Sequence, residues 1–596
     1  MKRVGSASRP RILVVCLLCF APLAGGACNQ ASVAAGGNGS GTGSSSGGTS
    51  GGGSGGGSGI IGPLPDGGSS TGSGSPMVCD ATHYGVMFTK GECPHDCSGQ
   101  ASNTYISGKV YDPAGKRTIY GAVVYIPSNP SQVVDPMPFA GVQCATCANF
   151  TYAGPPVPQA HAVTAPDGSF KIGIDPSTGM DWAGGNPVPV GSDISLVIQI
   201  GKWRRMVTIP VVACRDNQVD KSLTSLPSSR GPDGQNGQGS LPRIAISVGD
   251  ADRLQCLFKR MGIADSEFTS GPTGTGAINL YKDDTADFTG TVSWPSSTTL
   301  WDTAAHLKQY DIVMLGCQGS QSTQRSNKDS GVISDASKQA MVDYANAGGK
   351  IFAEHYQQTW LASFPPLKTD PAKTGVPCFK NPICTADMAT VCTGNSNAVA
   401  DSCQPCSFSC TNLAAAPYYT SSAPFGEVAS WVTASGVIDA SGSIGSPNTG
   451  TINTGFPSGA AFAQWLTLQP PSPAVATADP QGSITIESEM KPAATATINP
   501  PATPWISIPG YADYFTFNTP VSAAQDSQCG RFAYTDVHVA SGLESGPYYD
   551  PKPSASPSNC LNHEFLNQEK AIEFMIFDLS HCTISDSNSL GGITIQ

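Results

Sequence analysis

The chain has 596 residues, room for two or three separately cored regions, yet only 13% are charged while Gly (68) and Pro (48) abound, a balance favouring strands, turns and linkers over helix. The net charge is −12, and past residue 27 there are 28 basic residues against 44 acidic, a net of −16. Such an excess argues against a nucleic-acid or anionic-membrane surface, so no nucleic-acid partner is expected.

Residues 1–27 open with Lys2, Arg3, Arg9 and Arg11, pass through an apolar stretch at 12–21, and end in Ala24, Gly25, Gly26 and Ala27 before Cys28. The pattern predicts an export signal, too short to span a bilayer as a mature helix. It resembles a bacterial lipoprotein signal, which implies lipidation of Cys28. It departs from that pattern in having Gly25 three residues before the cysteine, with Leu23 two positions early. The expected location is the cell envelope, as an outer-membrane or cell-surface lipoprotein touching the membrane through the anchor alone; cleavage and release is the alternative. Residues 29–78 are almost entirely Gly, Ser, Thr and Asn. They cannot bury enough apolar surface to offset their ordering entropy, and such a tether reaches about 40 Å.

Of 20 cysteines, Cys16 and Cys19 leave with the signal and Cys28 carries lipid, so seventeen remain. In an exported chain they predict a disulfide framework, and the odd number leaves one thiol over, with Cys317 and Cys256 as the candidates. Cys378, Cys384, Cys392, Cys403, Cys406 and Cys410 fall within 33 residues and predict a disulfide-stapled insertion. Zinc at Cys144-x-x-Cys147 or Cys403-x-x-Cys406 is the less favoured alternative.

From Tyr105 to Val212, short alternating runs are separated by turn signals such as Asp112-Pro113-Ala114-Gly115 and Pro166-Asp167-Gly168, predicting an antiparallel β-sandwich within 79–225. The stretches SGKVYDPAGKRTIYGAVVYI and TAPDGSFKI resemble the carboxypeptidase regulatory-like, or transthyretin-like, family, which implies an accessory or binding module without catalysis. Lys202, Trp203, Arg204 and Arg205 are expected at a hairpin tip. They are a possible contact for an acidic or sugar partner, although packing on a neighbouring domain is preferred.

Beyond residue 241, β and α patterns alternate. Residues 242–249 read as a strand, 250–261 as a helix, 310–315 and 350–353 as apolar strands, and 334–347 between them as a helix ended by Gly348 and Gly349. With 531–538 and a closing helix at 567–579, the pattern predicts a doubly wound, flavodoxin-like α/β domain over 241–363 and 501–585, interrupted by the Cys-rich insertion at 364–500. The runs YDIVMLGCQG, YANAGGKIFAEHYQQTW and CGRFAYTDVHV are similar to the class I glutamine amidotransferase-like fold, in its trehalose-utilisation branch. Catalytic members carry a cysteine in G-x-C-x-G on a strand-to-helix turn. That turn here is Ala353-Glu354-His355-Tyr356-Gln357, and Cys317 lies one strand earlier, so amidotransfer is not expected.

His355 and His538 fall on strand ends that converge in such a fold, with Glu354, Asp536 and Cys317 alongside. These types suit acid–base work or a metal or polar ligand; the alternative is that they close the sheet edge. As a whole the chain looks similar to uncharacterised bacterial surface lipoproteins. The expected function is non-catalytic binding of a carbohydrate or another polar polymer, with no cofactor and no resident metal. The alternative is a hydrolase or sugar-processing enzyme using His355, His538 and Glu354.

Overall fold

The computed structural model describes Cys97 and residues 102–127, 129–145, 160–173, 188–232, 234–249, 252–282, 294–317, 333, 335–361, 368–369, 377–378, 424–426, 428–431, 448–475, 477–487, 495–508, 511–538, 550 and 559–588. The signal, Cys28, the tether and most of the six-cysteine cluster lie outside the described residues. The protein is mixed and sheet-rich, with several sheets, a few helices and disulfides.

Seven strands form the first region: β1 (Tyr105–Lys109), β2 (Val123–Tyr125), β3 (His161–Val163), β4 (Ser169–Ile172), β5 (Gly191–Ile200), β6 (Trp203–Val211) and β7 (Asp216–Gln218). They make a three-stranded sheet, β4–β1–β7, and a four-stranded sheet, β3–β2–β5–β6. Strands β5 and β6 pair as far as Ile200↔Trp203, so the hairpin turn is Gly201 and Lys202 alone. Trp203, Arg204 and Arg205 therefore belong to β6, and all three are buried. Gly201 adopts φ +56°, and a Cβ there would come within 1.9 Å of the Ser580 carbonyl oxygen, so no side chain fits.

The second region is built on ten strands: β8 (Ile244–Val248), β9 (Phe268–Ser270), β10 (Ile278–Lys282), β11 (Ile312–Leu315), β12 (Lys350–Glu354), β13 (Asn448–Ile452), β14 (Ser483–Ile486), β15 (Thr503–Ile508), β16 (Tyr511–Thr519) and β17 (Gly530–Thr535). Their order is β9–β10–β8–β11–β12–β17–β16–β15–β13–β14. The first six run parallel and the rest continue antiparallel. Strands β8, β11, β12 and β17 are buried along their whole length, which a parallel sheet requires because both faces are covered.

One face packs Ile244, Ile246, Met314 and Phe352 against helix α1 (Leu254–Arg260), helix α4 (Asn567–Ser580) and the first region. The other packs Val313, Leu315, Ile351 and Phe532 against Met341, Tyr344 and Ala345 of helix α2 (Asp335–Asn346). Each such aliphatic side chain contributes about 1.5–3 kcal/mol over its exposed state. Residues 448–486, within the span expected as an insertion, supply β13, β14 and helix α3 (Pro457–Leu468), which meets α4 through Phe462 and Phe574, ring centroids 5.0 Å apart.

The two regions share one continuous apolar core and are cross-linked by buried polar groups. Arg117 pairs with Asp112 at 2.5 Å and with Glu573 of α4, and Trp203 Nε1 donates to Ser580 Oγ at 3.1 Å. Disulfides Cys97–Cys214, Cys144–Cys529 and Cys256–Cys560 staple the fold. Cys256 is therefore not the leftover thiol, and Cys144 does not ligate zinc with Cys147. Helix α1 starts at Leu254 rather than Asp250, because Asp252 turns its carboxylate towards His538.

Candidate functional site

Parallel strands with adjacent carboxyl ends bring the following turns to one place, and β8, β11, β12 and β17 are consecutive in the sheet. Asp252 follows β8, Cys317 follows β11 by two residues, Glu354 ends β12 with His355 next, and Asp536 and His538 follow β17. The expected residues Cys317, Glu354, His355, Asp536 and His538 thus meet at one sheet edge, all 0–1% exposed.

Cys317 Sγ lies 3.3 Å from His355 Nδ1. The His355 and His538 rings meet edge to face with centroids 5.0 Å apart. His538 Nδ1 hydrogen-bonds to Asp252 Oδ2, while Gln568 of α4 donates to the His538 carbonyl at 2.6 Å. The Cys317 amide donates to Glu354 Oε2 at 3.2 Å. The Tyr534 hydroxyl donates to the His355 carbonyl at 2.7 Å, with Asp536 Oδ1 2.6 Å away. Gln357 Nε2 donates to the Gly316 carbonyl at 2.8 Å while Gln357 Oε1 accepts from Trp360 Nε1 at 2.9 Å, locking the turn that carries Cys317.

His355 holds φ +42°, an uncommon conformation for a residue with a side chain, at the turn from β12 into the short helix that follows. Strained backbone of this kind costs about 1–3 kcal/mol and persists only where its surroundings enforce it, as the Tyr534 bond to the His355 carbonyl does here. Burial, then the neighbouring Asp252 carboxylate, pushes the Glu354 carboxyl well above the usual carboxylate range. Among cysteines with described side chains, Cys317 alone keeps its thiol outside a disulfide.

The opposite, amino edge of the sheet is built differently. There the β5–β6 turn docks on the starts of β11 and β12 and leaves a cavity of about 350 Å³, lined in part by Met137, Val142, Gln143, Lys202, Asp311 and Lys350. Lys202 Nζ donates to the Gly141 carbonyl at 3.0 Å and pairs with Asp311, whose other oxygen accepts from the Arg243 amide at 2.8 Å. Lys350 Nζ donates to Thr583 Oγ1 at 2.5 Å, and burial followed by Arg531 lowers its ammonium to about 7. His581, also on the lining, is pushed down to about 3 by burial, then by Arg531 and Lys350.

The four residues expected at a hairpin tip pack against their surroundings, the reading preferred over a partner contact, but three of them lie on β6 rather than in the turn. Trp203 binds Ser580, Arg204 pairs with Asp135 at 3.0 Å, and Arg205 donates to the carbonyls of Gly234 and Ser225. Those three are consumed inside the molecule, while Lys202 lines the cavity. Asp252 is the member of the carboxyl-edge cluster that sequence reasoning missed. It reads as part of a helix start, and the signal that could have found it is its place just after a fully apolar strand. No known protein family, curated protein or solved structure matches this chain.

Proposed function

We propose that the protein is an exported, lipid-anchored cell-envelope protein that acts as a non-catalytic binding module, and that it takes a carbohydrate unit or another polar ligand in the cavity at the amino edge of the large sheet. The observation that carries this reading is that cavity. Its volume of about 350 Å³ lies within the roughly 300–1,000 Å³ usual for ligand sites. Apolar wall from Met137 and Val142 with polar groups from Gln143, Lys202 and Asp311 is the mixture that orients a sugar face and its hydroxyls.

In the same reading, the first region is a carboxypeptidase regulatory-like sandwich, a relative of binding modules, and the second an amidotransferase-like, doubly wound α/β domain that lacks the nucleophile of its catalytic relatives. The two small sheets of three and four strands, and the parallel strands flanked by α1, α2 and α4, support this assignment. The burial of the carboxyl-edge cluster favours binding over turnover of a polymer, because the reactive groups are sealed. Equilibrium binding of an oligosaccharide panel to the exported chain tests the proposal. Val142→Trp, which fills the cavity, is expected to abolish binding, and Lys202→Ala to weaken it about tenfold; binding untouched by both would refute the assignment.

A second reading, a hydrolase or sugar-processing enzyme, draws on the convergence of His355, His538 and Glu354. It predicts turnover of a glycoside or ester panel that His355→Ala abolishes.

A further inference from the structure

We propose that Cys317, His355 and His538 form a transition-metal site of the zinc class at the carboxyl edge of the sheet, separate from the cavity. One donor atom from each residue lies within 4.8 Å of the other two, and all three residues are buried. The 3.3 Å between Cys317 Sγ and His355 Nδ1 is close to the ~3.5 Å that tetrahedral angles impose on a 2.3 Å Zn–S and a 2.0–2.1 Å Zn–N bond.

The second observation concerns His538. Its Nδ1 is taken by the Asp252 carboxylate, which leaves Nε2 buried and without a hydrogen-bond partner among the described residues. An imidazole held at one nitrogen by a carboxylate, with the other in a buried cluster beside a thiol and a second imidazole, is the arrangement that orients a histidine on a metal. The Gln568 bond to the His538 carbonyl and the Tyr534 bond to the His355 carbonyl fix both backbones. A buried nitrogen without a partner is unfavourable, and a metal bond removes that cost.

Thiolate and imidazole donors select zinc, copper or cobalt over magnesium and calcium, which need oxygen ligands. The Glu354 carboxyl is the protein group placed for a fourth position. Its Oε2 accepts the Cys317 amide, while Oε1 is buried without a hydrogen-bond partner among the described residues. Loading exchanges ligand protons for the metal: the Cys317 S–H bond breaks as the sulfur–metal bond forms, a protonated Glu354 carboxyl taking the fourth position gives up its O–H proton likewise, and the protons pass to solvent.

The test uses the full exported chain, stripped with a chelator, exchanged with Zn2+ or Co2+ and desalted. The wild type is expected to retain one more metal ion per chain than Cys317→Ser, a difference that cancels any metal held by the other cysteines. The cobalt form is expected to show thiolate-to-metal absorption that Cys317→Ser lacks. Asp252→Asn, which keeps its size, is expected to weaken zinc binding 10–100-fold while retaining the thermal transition of the apo protein. Equal metal content in wild type and Cys317→Ser, or a cobalt form without thiolate absorption, would overturn the proposal. Should Cys317→Ser not fold, undiminished zinc affinity in Asp252→Asn and His538→Gln would overturn it equally.

Discussion

The two edges of the same parallel strands have opposite characters. At the carboxyl edge, thiol, imidazole and carboxyl groups converge behind complete burial; at the amino edge, the other end of the same strands, a cavity of about 350 Å³ is walled by lysines, an aspartate and apolar side chains. The difference follows from what each edge must do. Turns after the carboxyl ends of β8, β11, β12 and β17 hold one another, as Gln357 holds the Gly316 carbonyl, and are held by Gln568 of α4, which seals them while leaving His538 Nε2 without a hydrogen-bond partner among the described residues. At the amino edge the Gly201–Lys202 turn of the first region lies against the starts of β11 and β12, and a cavity remains beside that contact. The sealed edge suits an ion and the jointed edge suits a small molecule.

The joint itself should be the easiest part to break. Gly201→Val would drive a side chain into the Ser580 carbonyl from a φ of +56°, and at least 4 kcal/mol of stability should disappear, read as a fall in the denaturant midpoint. An unchanged midpoint would mean the first region is not docked as described. Arg117→Met leaves Asp112 and Glu573 buried without their cation and should cost about 3–5 kcal/mol. Removing the Cys144–Cys529 disulfide, which ties residues 385 apart across the joint, should cost roughly 2–5 kcal/mol, measurable with the double Ser variant.

Acidity offers a way to sharpen the contrast. His581, at the amino edge, titrates near 6.5 when unfolded and near 3 when folded, so the unfolded chain binds the extra proton between those values. Its contribution to stability is complete above pH 6.5 and is lost as pH falls towards 3. Lys350 is protonated in the unfolded chain up to 10.5 but only up to about 7 in the fold, so stability should rise with pH between about 7 and 10.5. Lys350→Met should flatten that rise in thermal melts; a wild-type slope of the opposite sign would contradict the burial of Lys350. At the small end, Lys109→Ala removes an exposed pair with Asp167, 3.0 Å apart, and should change stability by less than about 0.5 kcal/mol.

Much of this architecture was legible in the sequence because it is written in local patterns. The apolar runs ending at Leu315 and Glu354, the helix between them and its stop at Gly348 are where periodicity puts them, to within two residues. Cys317, His355 and His538 were found from their strand-end positions alone. What escaped depends on contacts far apart in the chain. Cys256 pairs with Cys560 over 304 residues, a choice that no spacing encodes. Trp203, Arg204 and Arg205 look like an exposed tip because charge near a turn usually signals solvent, yet their partners are Ser580, Asp135, Gly234 and Ser225. Asp252 has meaning only once β8 lies within reach of the turn after β17.

The separation of the two edges is tested most directly by calorimetric titration of the best-binding oligosaccharide into the wild type, Val142→Trp and Cys317→Ser. The account predicts one site per chain, equal affinity in wild type and Cys317→Ser, and no binding in Val142→Trp. Binding that survives in Val142→Trp but is lost in Cys317→Ser would place the ligand at the carboxyl edge and contradict it.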